Sequence, residues 1–244
     1  RQVLQEESDA LRAYYEQAGI LIARPAGGTS CRLAISAKGG TNAENHNHND
    51  VGSYAVALGS ETMVGDQGGP NSYPGDYFNG DAPQKYKIKG SFGHPVPVVD
   101  GRTQSSGGKA KGVVLQKEFT NEKDVFSIDY TSAYSTPNLD KLIRTFVYDR
   151  QGKGSFTVGD EFTAKTPIRF ETAITTRADW KILDDTHLLL ATDSEQMIVA
   201  IEASGKVAFT SETIEVNSPA YTRIGIALKN QSKEGYIRLK MYTK

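Results

Sequence analysis

From Ile20 to Lys244 the sequence is broken into short β-branched and aromatic runs separated by clusters of Gly, Asn, Asp, Ser and Pro. Text of this kind is that of an antiparallel all-β domain. Strands are predicted at Ile20 to Arg24, Arg32 to Ala37, Asn49 to Leu58, Thr62 to Asp66, Gly112 to Phe119, Val125 to Tyr130 and Leu142 to Tyr148. Further strands are predicted at Gly154 to Val158, Ile168 to Thr175, Leu188 to Ala191, Met197 to Glu202, Val207 to Thr210, Arg223 to Leu228 and Tyr236 to Tyr242. So many strands exceed one small sheet. Alternation places Ile168, Phe170, Thr172 and Ile174 on one face, and Ile237, Leu239 and Met241 on another. Two large antiparallel sheets packed face to face, a β-sandwich, satisfy both observations.

The amino-terminal stretch reads differently. Leu4, Leu11 and Tyr15 recur at nearly helical spacing among Glu, Gln, Asp and Ala, with Gly19 as a stop. Residues 1–18 are therefore expected to form a short helical lead-in from an upstream region, and residues 19–244 the β-domain. A chain that starts at Arg1 is expected to be a mature product or a piece of something longer. Gln67 to Lys89 lacks convincing strands, and its aromatic residues Tyr73, Tyr77, Phe78 and Tyr86 suggest a functional loop.

Charge excludes some partners. With 28 Lys and Arg against 29 Asp and Glu, the net charge of −1 gives no field that would steer nucleic acid. Any acidic ligand must be recognised locally. The single cysteine, Cys31, excludes an intramolecular disulfide and a Cys-based zinc knuckle, and reads as a small buried apolar residue. No apolar run approaches the roughly 20 residues of a membrane-spanning helix, so membrane insertion is not expected.

The chain has four histidines, and two fall in Asn45-His46-Asn47-His48-Asn49-Asp50. On an extended backbone His46, His48 and Asp50 point to the same side. Neutral imidazole is a ligand for zinc-like metals. Asp66 ends the next predicted strand, and a hairpin through Gly59-Ser60 returns it toward the histidines; His94 follows the long loop between Gly93 and Pro95. Asn45, Asn47, Asn49 and Asp50 are candidates to orient the rings. The other reading of the pair is two histidines satisfied by hydrogen bonds in an Asn-rich turn. His187, after Asp184-Asp185-Thr186, reads as a surface turn. Asp66, Asp76, Asn79 and Asp81 offer oxygen atoms of the kind calcium takes, although such residues are ordinary in turns. Lys85, Lys87 and Lys89 are spaced to share one face of a strand, either a solvated edge or a contact for an acidic glycan.

These motifs resemble a known family. His46-x-His48-x-Asp50-Val51-Gly52-Ser53-Tyr54, a following strand ending in Asp66, and His94 before Val98-Val99-Asp100-Gly101 are similar to the core of the heparinase II/III-like domain. The recognisable motifs cover Tyr15 to Gly101. The resemblance implies a bacterial, periplasmic or secreted polysaccharide lyase in which an upstream (α/α) toroid precedes a β-sandwich. It implies an acidic, uronic-acid-containing substrate such as heparan sulfate or alginate. It assigns His46 as the catalytic histidine and His48, Asp66 and His94 as ligands of a structural zinc. Tyr77 is the candidate catalytic tyrosine within this chain, although in relatives the tyrosine and the Asn or His facing the uronate carboxylate come from the toroid. The chain departs from the family pattern in Pro95-Val96, where Asn-Thr is usual, and in Lys85-Tyr86-Lys87-Ile88-Lys89, where the family carries Arg.

The implied reaction is a β-elimination, and His46, with a reference pKa of about 6.5, is suited to move a proton near neutrality. With part of the site expected upstream, the chain by itself is expected to be catalytically incomplete. Two other functions fit the same residues: a non-catalytic carbohydrate-binding β-sandwich module, and a metal-dependent β-barrel enzyme with an open His46, His48 and Asp66 site.

Overall fold

A computed structural model describes residues 10–66, 69–216 and 218–244. Its first strands are β1 (Arg12–Tyr15), β2 (Ile20–Ala23), β3 (Leu33–Lys38), β4 (Thr41–Asn42), β5 (Tyr54–Leu58) and β6 (Glu61–Val64). A short helix, α1 (Ala82–Lys85), and a 3-10 turn at Ser91–Gly93 then lead to β7 (Val98–Val99). The chain continues through β8 (Gly107–Lys111), β9 (Val113–Phe119), β10 (Lys123–Asp129), β11 (Leu139–Asp149), β12 (Ser155–Ile168) and β13 (Phe170–Thr176). It ends with β14 (Asp179–Asp184), β15 (His187–Ala191), β16 (Gln196–Ala203), β17 (Val207–Val216), β18 (Ser218–Leu228) and β19 (Ser232–Thr243).

Two layers result. One is an eight-stranded sheet in the order β14-β15-β16-β19-β12-β11-β10-β9. The other joins a five-stranded sheet, β1-β2-β3-β5-β6, to a four-stranded one, β17-β18-β13-β7. The junction lies between β6 and β13: Gly65 N–H donates to Thr175 O at 3.0 Å, and the Thr175 hydroxyl donates to Gly65 O at 2.6 Å. A small β4-β8 pair sits apart.

Alternating side chains fill the space between the layers. The Tyr54 ring meets Phe146 and Phe156 of the opposite sheet at 6.3 and 5.9 Å, and Phe162 stacks on Phe170 at 4.6 Å. Each such fully buried side chain contributes about 1.5–3 kcal/mol of transfer free energy. Ile168, Phe170, Thr172 and Ile174 are all buried, as the alternation requires, and so are Ile237, Leu239 and Met241. Cys31 is buried and unpaired.

Several predicted elements change. The helical expectation for residues 10–18 fails: Arg12–Tyr15 pairs antiparallel with β2, and Tyr14 packs against Phe119 and Phe126, each at 5.7 Å. Burial against the sheet overrides a weak local helical pattern. Residues 1–9 of that expectation lie outside the described residues. The strand predicted from Asn49 begins only at Tyr54. The strand predicted at Gly154 to Val158 runs on to Ile168, its continuation hidden by Glu, Thr and Lys on the solvent face. Edge strand β14, mostly exposed, carries no core pattern to detect. No described helix is long and apolar enough to cross a membrane.

Candidate functional site

The histidine segment is a loop held by side chains in place of a sheet partner. Asn42 Oδ1 accepts the backbone N–H groups of Asp50 and Val51 at 3.0 and 3.3 Å. Gln104 grips Val51 from both sides, Oε1 accepting its N–H at 3.1 Å and Nε2 donating to its carbonyl at 2.7 Å. His46 has φ of 60°, in the left-handed region. The expectation that His46, His48 and Asp50 share one face of a strand is therefore corrected. His46 turns to Phe78, ring to ring at 4.7 Å, whereas His48 turns to His94 at 5.1 Å. Asp50 is buried and ion-paired with Lys38 at 2.5 Å.

His94 is delivered by the 3-10 turn and is fully buried, 0% exposed. Its Nδ1 lies 3.6 Å from Asp66 Oδ2. Neither of its ring nitrogens has a hydrogen-bond partner. A buried imidazole without partners costs about 1–3 kcal/mol for each unsatisfied group. Donor atoms of His48, Asp66 and His94 lie within 4.8 Å of one another, an arrangement able to hold a metal ion. A tetrahedral zinc with bonds near 2.1 Å needs donors about 3.4 Å apart, so side-chain adjustments of roughly an ångström close the set. Burial, and secondarily the neighbouring His94, push the His48 pKa down to about 4 against the opposing pull of Asp66 and Asp50. His48 is thus neutral at pH 7, the form a metal requires. The donor set fits a metal of the zinc type.

Tyr77 is 2% exposed, and its Oη lies 3.3 Å from His48 Nε2. Burial, then the Tyr73 and Asp66 charges, push its pKa up to about 12. The structure therefore places Tyr77 against the His48, Asp66 and His94 cluster, and His46 against Phe78, beside a cleft of about 450 Å³. Asn45, Asn47, Phe78 and Asn79 also line that cleft. Asn47 and Asn49 bond to other groups than the imidazole rings: Asn47 Nδ2 donates to His48 O at 2.7 Å, and Asn49 Nδ2 donates to Ser106 Oγ at 3.0 Å.

The oxygen-rich cluster considered for calcium is dispersed. Asp76 accepts from Tyr86 Oη at 2.5 Å and pairs with Lys85 at 3.0 Å, Asp81 pairs with the same lysine, and Asp66 belongs with the histidines. Nor do Lys85, Lys87 and Lys89 share a strand face. Lys85 ends α1, Lys87 pairs with Glu212, and Lys89 is buried. His187 opens β15 just after the Asp185-Thr186 turn, its Nδ1 3.0 Å from Asp184 Oδ1.

Sequence reasoning missed the strut that holds both loops. Arg144 of β11 is fully buried, and its NH1 donates to Gly52 O and to Pro95 O, each at 2.7 Å. Its Nε and NH2 grip both oxygens of Asp160 at 2.7 Å. One residue thereby ties the loop bearing His46 and His48 to the segment bearing His94. The signal was present: Arg144 shares the inward face of its strand with Leu142, Phe146 and Tyr148.

Fold and site together define a two-layer antiparallel sandwich with a loop-borne His/Asp/His cluster next to a polar cleft. No family model and no curated protein matches the chain. Solved structures do. Heparinase III superposes with a TM-score of 0.74 at 18% identity, covering 95% of this chain and 36% of that one. Heparan sulfate lyase HepC from Pedobacter heparinus superposes at 0.75 with 14% identity, covering 97% of this chain and 37% of that one. These likenesses establish the fold that the motif resemblance implied. This chain spans little more than a third of the length of either structure.

Proposed function

We propose that this chain is the β-sandwich part of a polysaccharide lyase that cleaves uronic-acid-containing glycans by β-elimination, with zinc on His48, Asp66 and His94. The observation that carries the reading is the fully buried His94, both ring nitrogens unpartnered, gathered with Asp66 and His48 directly beside the loop that presents His46 to an open cleft. Zinc bound there supplies a structural cross-link between the His46 loop and the His94 segment, and favours the neutral imidazoles. Arg144 ties the same two segments through their carbonyls.

His46 is the proton-transfer group. In the elimination its ring nitrogen takes the C5 proton of the uronide, or gives a proton to the C4 oxygen as the C4–O bond breaks; the C4=C5 double bond forms between. The partner group for the second proton comes from the region upstream. Tyr77, with its hydroxyl buried on His48, acts here as a positioning residue for that ring. Such a protein acts in the bacterial periplasm or outside the cell, where acidic glycans are met.

The test is to incubate the full-length gene product, its His46→Ala variant and the present chain with heparan sulfate, alginate and hyaluronan. The ultraviolet absorbance of the unsaturated product is followed. The full-length protein should turn over one of them, His46→Ala should lose about 10²–10⁴ in rate, and the present chain should be nearly inactive. Glycan binding by the full-length protein without any elimination would replace the lyase reading by that of a binding module.

A further inference from the structure

Four cationic side chains are buried among the described residues, and three have carboxylate partners. Arg144 pairs with Asp160, Arg150 with Asp124 and Arg223 with Glu171. The fourth, Lys89, is 6% exposed and makes no ion pair with any described carboxylate. Its ammonium donates from Nζ to Tyr77 O at 2.5 Å. An ammonium has three donors, and one of them is spent on a described protein acceptor. A cation withdrawn from bulk water in this way is held only where something compensates its charge.

Partial compensation comes from aromatic faces. Lys89 Nζ lies 4.9 Å from the Tyr77 ring centroid and 5.1 Å from that of Phe78. Those rings and the Tyr77 carbonyl hold the ammonium in place without neutralising it. Burial lowers the lysine's pKa, as expected for a cation short of partners. Its backbone is fixed as well, since Lys89 O accepts the N–H of Asn49 at 2.9 Å. The residue is thereby locked to the histidine loop.

Lys89 also lines the cleft that His46 lines, and both lie against the same ring, Phe78. The remaining wall is largely polar, with Asn45, Asn47 and Asn79 and one carboxylate, Glu44, whose Oε1 accepts the Thr41 hydroxyl at 2.9 Å. A fixed cation, in a concave site shared with a proton-transferring imidazole, is matched by a ligand that brings its own negative charge. Resting on the lyase reading above, we infer that Lys89 is a substrate-specificity residue: its ammonium binds an acidic group of the glycan, carboxylate or sulfate, in the His46 cleft. The half-exposed Phe78 ring supplies the adjoining apolar wall for a sugar face.

Calorimetric binding separates the two anions. The present chain is titrated with a sulfate-free uronate tetrasaccharide, its carboxyl-reduced counterpart, and a heparan sulfate tetrasaccharide. The expected result is that Lys89→Met weakens uronate binding by about tenfold, the size of one charge-assisted hydrogen bond, whereas Lys89→Arg retains most of it. If the carboxylate is the group bound, the carboxyl-reduced glycan loses as much with the parent protein and nothing more with Lys89→Met. If sulfate is the group bound, the tenfold loss appears with the heparan sulfate fragment alone. Because Lys89→Met removes the contact to Tyr77 O, the parent protein is also observed by NMR. The Lys89 Cε resonance should shift on addition of the acidic tetrasaccharide and stay put with a neutral one. Parent-like affinity of a folded Lys89→Met for every acidic glycan, an unmoved Lys89 resonance, or no binding of acidic glycans by the parent would each overturn the inference. The lyase reading fails separately, by absence of elimination in the full-length protein; elimination that needs His46 but is indifferent to Lys89→Met would leave that reading standing and remove this one.

Discussion

Replacing Arg144 by Met tests whether a buried strut, in addition to the metal ligands, assembles the site. Its guanidinium spends donors on both Asp160 oxygens, on Thr172 Oγ1 at 3.1 Å, and on the carbonyls of Gly52 and Pro95. Removing one partner of a buried ion pair costs about 3–5 kcal/mol. Asp160 keeps hydroxyl donors from Tyr130 at 2.7 Å and Thr172 at 2.8 Å, which puts its share at the lower end, about 3 kcal/mol. The two orphaned carbonyls add about 1 kcal/mol each. The expected total is about 5 kcal/mol, a large part of the 5–15 kcal/mol that folds a typical domain. Urea unfolding followed by circular dichroism measures it. The double variant Arg144→Met/Asp160→Asn, which no longer buries an uncompensated charge, should recover about 2 kcal/mol. Metal affinity should fall in the single variant, because Gly52 and Pro95 anchor the two segments that bring the ligands together. A loss below about 1 kcal/mol, or a double variant no more stable than the single one, would refute the argument.

The metal assignment predicts one equivalent of zinc by elemental analysis, lost in His48→Ala and on treatment with a strong chelator; parent protein without stoichiometric metal would remove it. At free zinc 100-fold above its dissociation constant the metal should add about 2.7 kcal/mol of stability, read as a rise in the urea midpoint over the chelated protein. Tyr77→Phe, which deletes the hydroxyl at His48 Nε2, should weaken metal binding about tenfold with little change in fold, and unchanged affinity in a competition titration would count against its positioning role. Gly93→Ala should destabilise by about 1–3 kcal/mol and lower zinc content, since the new methyl would run into the Lys87 carbonyl and come within 2.8 Å of Tyr221 Oη just before His94; a parent-like melting curve and full zinc content would contradict it.

What this sequence determined by itself is the layer architecture; the grouping of His48, Asp66 and His94 was an expectation that came with the family resemblance. Alternation at Ile237, Leu239 and Met241 follows from the two-residue period of a strand, a local property, whereas from Thr172 to Thr176 the tertiary structure buries both faces. The structure gathers donor atoms of those three residues, His48, Asp66 and His94, within 4.8 Å of one another, and residues of these types are the ones zinc-like metals take. Tertiary structure alone decided how those residues divide their tasks. His46 and His48 part company because the nearby Asn42 and the distant Gln104 satisfy the loop backbone and keep it from becoming a strand. Arg12–Tyr15 is a strand because Tyr14 finds Phe119 and Phe126 more than a hundred residues away. Lys89, read as part of a charged strand edge, is a buried cation only because the 67–89 loop folds Tyr77 and Phe78 over it. In each case the deciding energy is burial or hydrogen bonding between residues that are not neighbours along a strand, and such contacts leave no local period in the sequence to read.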